Sequence, residues 1–584
     1  MKKIIKHKNT ILTAICCVLG LTSCNDFLGF KYPGSTLASD AFNSDDPVQN
    51  VYMATASVTS SYGPLQWEYG DGTFFFEWWF GDVASDDALK GGDNLNAGGD
   101  AYDIDNFRTN ADNPIVHEFY KAQYIGAMRA NFSLENIQPM DSTIFPAGLK
   151  NRLIGEDLFL RAMYHFRLVR VFGGVVIADR VIYLQSEWAQ PRASEADVYA
   201  FIINDLKQAI NLLPTQNTYS AADIGRASKG AARALLMKVY MNTGQYDEAK
   251  AQGDSIIADP TGYSLLADYN QNFDFNFENN KESLFEIQYL DNGEGDWQTA
   301  GRGSLGATRA NWTTVYTRPR WGQAGTGPDQ GLGSQGFGWG WNRPTQELYD
   351  EFEQGDMRRD ATIINPQGTD SLKNGYCPYD YYDADKMVID TTGSDYMQYL
   401  GNRYHSRKYA EMNPDTTFYP LDGGNPRGTI NHKEIRYSDV LLMYAEACIK
   451  SSSPNIAQAK WALEQVRARA RAFSGGGTVL PPFPNYKVRL ECIGQSGTKQ
   501  LQDNTDDLML AIEHERRVEL GMEGHRWFDL KRWGLLDVVM NNYKATTKPH
   551  IGELMNPFVK GKNELFPIPA REIDLNPMDQ NPGY

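Results

Sequence analysis

The chain has 584 residues, 41% of them apolar, and a formal net charge of −17. That length and apolar content suit one large domain or roughly two to four ordinary ones. The acidic balance argues against nucleic acid and anionic lipid surfaces as partners, because like charges repel.

The chain opens with four lysines in its first eight residues, then an apolar stretch from Ile11 to Leu21, then Thr22-Ser23-Cys24. A basic start and a short apolar core read as a secretory leader. The core is too short to cross a bilayer as a helix. The cysteine that follows directly makes the segment resemble a bacterial lipobox. The resemblance implies that Cys24 is acylated, that residues 1–23 are removed and that a mature chain of charge −21 hangs from a membrane by its lipids. The alternative is a plain leader with a chance cysteine. No later segment is apolar enough to span a membrane.

Residues 25 to 112 carry much glycine, aspartate and asparagine and little periodicity. Within them Phe74 to Phe80 is an uninterrupted apolar run, read as core. Asp82 to Asn113 is a polar loop in which Asp86, Asp87, Lys90, Asp93, Asn94, Tyr102 and Asp105 lie among glycines. Helical periodicity then takes over. It predicts helices over Ile115–Ile137, over Arg152–Phe172 with a stop at Gly173-Gly174, and from Ser194 to Pro214 behind a capped start. Ser228 to Met241 and the stretch after Gly244-Gln245-Tyr246 form a helix, a Gly-x-Tyr turn and a second helix. That unit resembles one tetratricopeptide repeat.

From about 262 to 435 glycine, asparagine, aspartate and aromatics prevail, and Ser283–Ile287 is the one clear strand. A helix pair returns at Tyr437–Lys450 and Ile456–Phe473. Cys448 shares a helical face with Leu441, Tyr444 and Ala445 and reads as core. Cys377 and Cys492 complete an odd set beyond Cys24; a single bridge stays open, and no metal site is expected from cysteines so far apart.

Several runs together carry a family resemblance: Cys24-Asn25-Asp26-Phe27-Leu28, Arg161 to Gly173, Gly225 to Ala232, Gly244-Gln245-Tyr246, Arg436 to Ala447, Glu515 to Gly534, and Pro567-Ile568-Pro569 through Tyr584. In this order they resemble the SusD/RagB family across the whole mature chain. The resemblance implies a mainly α fold: tetratricopeptide-like helix pairs as scaffold, with large irregular loop insertions and few short strands. The scaffold falls at about 113–262 and 435–540, the loop-rich blocks at about 25–112 and 262–435. It further implies a lipid-anchored outer-membrane protein facing the cell exterior. Such a protein caps a SusC-like TonB-dependent transporter, binds oligosaccharide or polysaccharide (peptide in the RagB branch) and does no chemistry. No cofactor, catalytic residue or metal is expected, and a structural calcium is left open.

The best-matching run, Glu515 to Asp529, alternates charge and is read as a scaffold helix with i,i+4 ion pairs. The ligand site is sought in the loops instead. Sugar rings lay their C–H faces on flat aromatics while polar groups satisfy the hydroxyl rim. Trp297, Trp312, Tyr316, Trp321, Trp339 and Trp341, with Arg320 among them, are the richest such stretch. Asp86, Lys90, Asp93, Asn94 and Tyr102 are the second. The alternative is that these tryptophans pin loops to the scaffold and that the acidic loop is merely solvated.

Two motifs are set aside. Gly331 to Gly336 fits G-x-G-x-x-G by count, but no helix pattern follows. His514-Glu515 begins H-E-x-x-H, but Val518 stands where the second ligand belongs. A RagB-like peptide binder is the main rival function. A glycoside hydrolase, which needs two carboxylates flanking the bond, is the lesser one.

Overall fold

The computed structural model describes residues 42–70, 73–92, 98–290, 311–317, 339–365, 404–410 and 428–584. Cys24, Asp93, Asn94, Trp297, Arg320, Trp321, Cys377 and the glycine motif at 331–336 lie outside them.

The described chain is mainly helical. The labelled helices are α1 (Pro47–Tyr62), α2 (Gly99–Asp105), α3 (Pro114–Ile137), α4 (Leu149–Phe172), α5 (Glu195–Leu212), α6 (Lys229–Thr243), α7 (Tyr246–Ile257), α8 (Tyr437–Lys450), α9 (Ile456–Phe473), α10 (Thr505–Leu520), α11 (Arg526–Trp533) and α12 (Leu536–Thr546). Each of α3 to α7 packs on the next, and α8 packs on α7, α9 and α10, so the second helix group continues the first.

Local chemistry sets the ends. The Asn113 side chain accepts from the amides of Ile115 and Val116 ahead of Pro114, which opens α3. Ser194 accepts from Asp197 N at the start of α5. Gly173 ends α4. The stripe Leu158, Ala162, His165, Leu168 and Val169 is buried as the periodicity predicts. Indeed α4 is buried on nearly every side from Gly155 onward.

Two labelled helices depart from the sequence reading: α2 lies in the stretch read as a polar loop, and α1 is the longer case. Residues 47–62 fall in the block read as irregular, yet they form the sixteen-residue α1, capped by Asp46 and started by Pro47. It packs on α3 and closes a small satellite core around Ala54, Val58, Ile137 and Leu153.

Strands occur as two-stranded antiparallel pairs. Two matter here. β1 (Ala88–Gly91) pairs with β3 (Trp341–Pro344) in the register Ala88↔Pro344, Leu89↔Arg343 and Gly91↔Trp341. β2 (Ser283–Ile287) pairs with β4 (His432–Arg436) and so ties the loop block to the start of α8.

The charges of α10 correct the i,i+4 expectation. Glu515 and Glu519 are themselves four apart and alike in sign, so they need partners from elsewhere. Arg358 Nη1 lies 2.6 Å from Glu515 and 3.0 Å from Glu519. Arg436 reaches Glu519 at 3.1 Å and Glu523 at 2.8 Å, and Lys408 reaches Glu523 at 2.7 Å. Arg516 bonds Asp439 and Asp529, each at 2.9 Å. All of these residues are buried. Charges this deep persist only where paired, and Arg358, Lys408 and Arg436 come from the loop block rather than from α10. Helix α10 is therefore the buried post on which loops and scaffold meet.

Cys448 is buried as expected; Cys448 and Cys492 are both free thiols, and burial pushes the Cys448 thiol up to about 11. His514 donates no partial zinc site: its Nδ1 lies 2.6 Å from Glu351 and its Nε2 3.5 Å from Glu353.

Candidate functional site

The apolar run Phe74–Phe80 is core, as read, and the structure adds what it is the core of. The Thr73–Phe74 strand folds back on Tyr69–Gly70, and Trp79–Val83 continues as a short π-helix. Phe74, Phe76 and Trp78 form a stacked ladder, with centroids 5.6 and 4.6 Å apart and planes within 13° and 12°. Trp78 lies 4.2 Å from Trp79.

A second segment, the short helix Thr313–Thr317, brings Trp312 and Tyr316 onto this ladder. Tyr316 is the hub. Its ring lies 4.5 Å from Phe74, 4.7 Å from Phe76, 4.7 Å from Trp339 and 5.7 Å from Trp341. Trp341 meets Trp79 edge-on at 5.6 Å. Sequence positions 74, 79, 312, 316, 339 and 341 thus form one aromatic floor. Trp312, Tyr316, Phe76, Trp78 and Trp79 are buried within it, whereas Phe74, Trp339 and Trp341 keep part of their surface exposed.

Polar groups border the floor on the side of β1. Lys90 Nζ stands 5.1 Å from the Trp341 ring and 5.7 Å from the Tyr102 ring, and the Arg108 guanidinium covers Tyr102 at 4.5 Å. Burial pulls the Lys90 ammonium down to about 8, against the pull of Asp105. Gly98, at φ +62°, lies flat against Trp341; a Cβ there would sit 2.3 Å from Cη2 of the indole. The glycines of this loop therefore make room for a tryptophan.

Two acids fix the floor to the body. Glu68 accepts from Trp312 N at 2.8 Å and from Thr313 Oγ1 at 3.0 Å. Asp82 accepts from Asn342 Nδ2 at 3.1 Å and from Gly524 N at 2.8 Å. Burial raises both carboxyls to about 7, their hydrogen bonds only partly opposing it.

Of the residues proposed from sequence, Trp312, Tyr316, Trp339, Trp341, Lys90 and Tyr102 are brought together, but Lys90 is fully buried and braces the Trp341 and Tyr102 rings rather than facing a ligand. Asp86 is not a surface group. It is buried between Arg526, at 2.8 Å, and Arg517, at 2.8 Å, and belongs to the internal ion network. Burial pushes its carboxyl up, but the two guanidiniums outweigh that and hold it below the usual range. The sequence reading missed Phe74 as a rim residue and Arg108 as the cation over Tyr102. The first was hidden inside an apolar run; the second lies only six residues beyond Tyr102 and was within reach of the same argument.

A cavity of about 850 Å³ lies elsewhere, between α1 and α3, walled by Met53, Tyr124, Met128 and Phe132. Among the described residues no group of three or more His, Cys, Asp or Glu is placed to hold a metal ion. No described helix is long and apolar enough to cross a membrane.

A helix-pair scaffold whose loop insertions converge on an aromatic floor defines a class of loop-bearing helical-repeat proteins. The comparisons identify which. A family model described as "SusD family" matches residues 281–584, and one described as "Starch-binding associating with outer membrane" matches residues 43–241. The chain belongs to the SusD family.

Among its relatives, SusD-like protein P2 of Formosa agariphila is 26% identical over 82% of this chain and 83% of its own. The starch-binding protein SusD of Bacteroides thetaiotaomicron is 22% identical over 74% and 72%. A solved laminarin binding SusD-like protein is 27% identical, with a TM-score of 0.66 over 91% of this chain and 99% of that one. The surface glycan-binding protein A of Bacteroides thetaiotaomicron, solved with laminarihexaose, has the same fold at 22% identity and a TM-score of 0.70, over 91% and 99%.

Proposed function

We propose that this protein is a cell-surface glycan-binding lipoprotein, anchored at Cys24 in the outer membrane. It catches an oligosaccharide on the aromatic floor and passes it, without chemistry, to a SusC-like TonB-dependent transporter. The observation that carries the reading is the part-exposed set Phe74, Trp339 and Trp341 over the buried hub Tyr316, with the exposed Arg108 guanidinium over Tyr102 beside it. Flat rings with polar neighbours are what a sugar's two kinds of surface require. The laminarin and starch named for relatives support the same ligand class and place β-glucans and α-glucans first in any panel.

Hydrolysis is the weaker reading. Glu68 and Asp82, the acids bonded to the floor's own segments, are each engaged by structural donors rather than facing one another as an acid pair. Peptide capture is the stronger rival, because grooves and backbone hydrogen bonds serve it without aromatic platforms.

The test is affinity electrophoresis and calorimetry of the chain from Asn25 against plant, host and microbial glycans, with laminarin and starch included. Retardation by one polysaccharide, abolished by Trp339→Ala, is the expected result. Retention of mixed peptides and of no glycan would replace this reading with the RagB-like one.

A further inference from the structure

The aromatic floor is assembled from chain segments far apart in sequence, and one side chain touches most of them. Glu68 sits just before the Tyr69–Phe74 turn that presents Phe74. Its own carbonyl oxygen accepts from Phe75 N at 2.9 Å and closes that turn. Its carboxylate reaches across to the second segment, where Oε2 takes Trp312 N and Oε1 takes the Thr313 hydroxyl. That hydroxyl in turn accepts from Trp78 Nε1 at 3.2 Å, so Trp78, Thr313 and Glu68 form a relay from the ladder to the acid.

The neighbouring contacts complete the frame without replacing Glu68. Asn311 pairs with Gly428 through both backbone groups and with the Ile430 carbonyl through its side chain. Asn431 Oδ1 accepts from Tyr289 N at 2.8 Å. These bonds hold Tyr289 and Asn311 to the segment 428–431 that leads into β4. Glu68 bonds the 312–313 segment to the strand pair that bears Phe74, where the Phe74–Trp312 and Phe74–Tyr316 ring contacts also meet. A carboxyl suits this place because each oxygen accepts one bond, from Trp312 N and from the Thr313 hydroxyl, and above about pH 7, where it is ionised, it is acceptor-only. A glutamine offers one acceptor and, beside it, an NH₂ that faces another donor.

We infer that Glu68 is the positioning residue of the floor: it sets the spacing of Phe74, Trp312 and Tyr316 on which ligand stacking depends, without itself contacting ligand. This rests on the floor being the ligand site, and the experiment separates the two claims. Hydrogen–deuterium exchange is measured on full-length mature wild type, Glu68→Gln and Thr313→Val, together with affinity for whichever glycan of the panel the wild type retains. The expected result is local. At pH 8, where Glu68 is ionised, amides of 312–317 exchange about tenfold faster in Glu68→Gln, the loss of charge-assisted bonds being worth at least that, while peptides of α4 and α10 are unchanged. Glycan affinity falls by a similar factor. Thr313→Val moves both readouts in the same direction by less, which keeps the test decisive if Glu68→Gln does not fold. Unchanged exchange at 312–317 overturns the inference. A uniform rise across all helices overturns it as well, since Glu68 is then only a folding residue. A local rise with undiminished affinity overturns the link to binding. If wild type retains no glycan, the proposed function fails, yet the exchange result still decides whether Glu68 organises the floor.

Discussion

Single residues in this protein separate by what their burial allows them to do. Trp312 and Trp339 look alike in sequence, yet Trp312 is 3% exposed and packs among Phe74 and the core, whereas Trp339 keeps an open face. Trp312→Ala is therefore expected to cost about 3–5 kcal/mol of stability, as large-to-small core changes do, and chemical denaturation reads it. Trp339→Ala should cost less than half of that and act on ligand affinity instead. Equal losses of stability for the two would contradict the assignment of Trp339 to the rim. Asp86 gives the converse case. It stands in a glycine-rich acidic loop, which in sequence is the mark of a surface site. Its partners Arg517 and Arg526 lie more than 400 positions on, beyond any pattern a local reading can use. Asp86→Asn removes the charge that both guanidiniums face, and breaking a buried pair in this way costs about 3–5 kcal/mol. A drop in thermal midpoint with glycan affinity intact at low temperature is expected. Lost affinity in a protein of unchanged stability would restore Asp86 to the ligand site.

Elements were legible where one periodicity ruled and illegible where two requirements competed. The helices at Tyr437–Lys450 and Ile456–Phe473 and the strand Ser283–Ile287 have the boundaries that the sequence predicts. The apolar residues of Ile456–Phe473 repeat with the period of one buried face; Tyr437–Cys448 and Ser283–Ile287 are buried throughout and were legible by length and residue type. Helix α1 carries no such stripe. Its sequence, rich in Ser, Thr and Val, has weak helix propensity, and only Ala54, Val58 and Ser61 are buried. Asp46-Pro47 was the available signal, a cap followed by proline at the first turn. The π-turn at Trp79–Val83 was hidden for another reason: a run buried on every side has no period to read. The aromatic floor was legible in part, because residue type marks Trp312 to Trp341, but the pairing that brings Phe74 beside Tyr316 is tertiary. The weakness of α1 makes its cap consequential. Asp46 Oδ1 accepts from Val48 N at 2.9 Å. Asp46→Ala should cost about 1 kcal/mol and raise amide exchange across 47–62 selectively, leaving α3 protected. Uniform exchange across α1 and α3 would mean that the helix is held by packing on α3 rather than by its start.

Across the whole molecule the ion network around α10 sets the response to pH. Burial alone would raise the carboxyls of Glu519, Glu523, Asp439 and Glu434, but Arg469, Arg436, Lys238, Arg516 and Arg167 outweigh it and hold all four below the usual range, Glu523 and Glu434 at about 2. Each binds its proton less tightly folded than unfolded, so its contribution is complete above the unfolded value of about 4. It is lost as pH falls through the folded value. Glu68 and Asp82 act in the opposite sense. Raised to about 7, they favour the folded state below the unfolded carboxylate value and give up that contribution as pH climbs through 7. Burial raises Glu513 to about 7 as well and lifts Asp157. Below the unfolded value raised carboxyls are protonated folded and unfolded alike, so the network set alone shapes the acid limb. His514 adds an alkaline edge: against burial, hydrogen bonds to Glu351 and Glu353 raise it to about 9. Its stabilisation is present below the free histidine value of about 6.5 and lost as pH rises through 9. Thermal midpoint against pH at constant ionic strength is therefore expected to be broad and highest near pH 5–7. It should decline gently above 7 and fall steeply below about 4, where the unfolded chain takes up protons that the depressed folded carboxylates, at about 2 or lower, still exclude. Because the pairs are buried, added salt should shift this acid limb little. A midpoint unchanged between pH 6 and pH 3, or an acid limb abolished by moderate salt, would show that α10 is held by apolar packing and that its charges contribute nothing net to the fold.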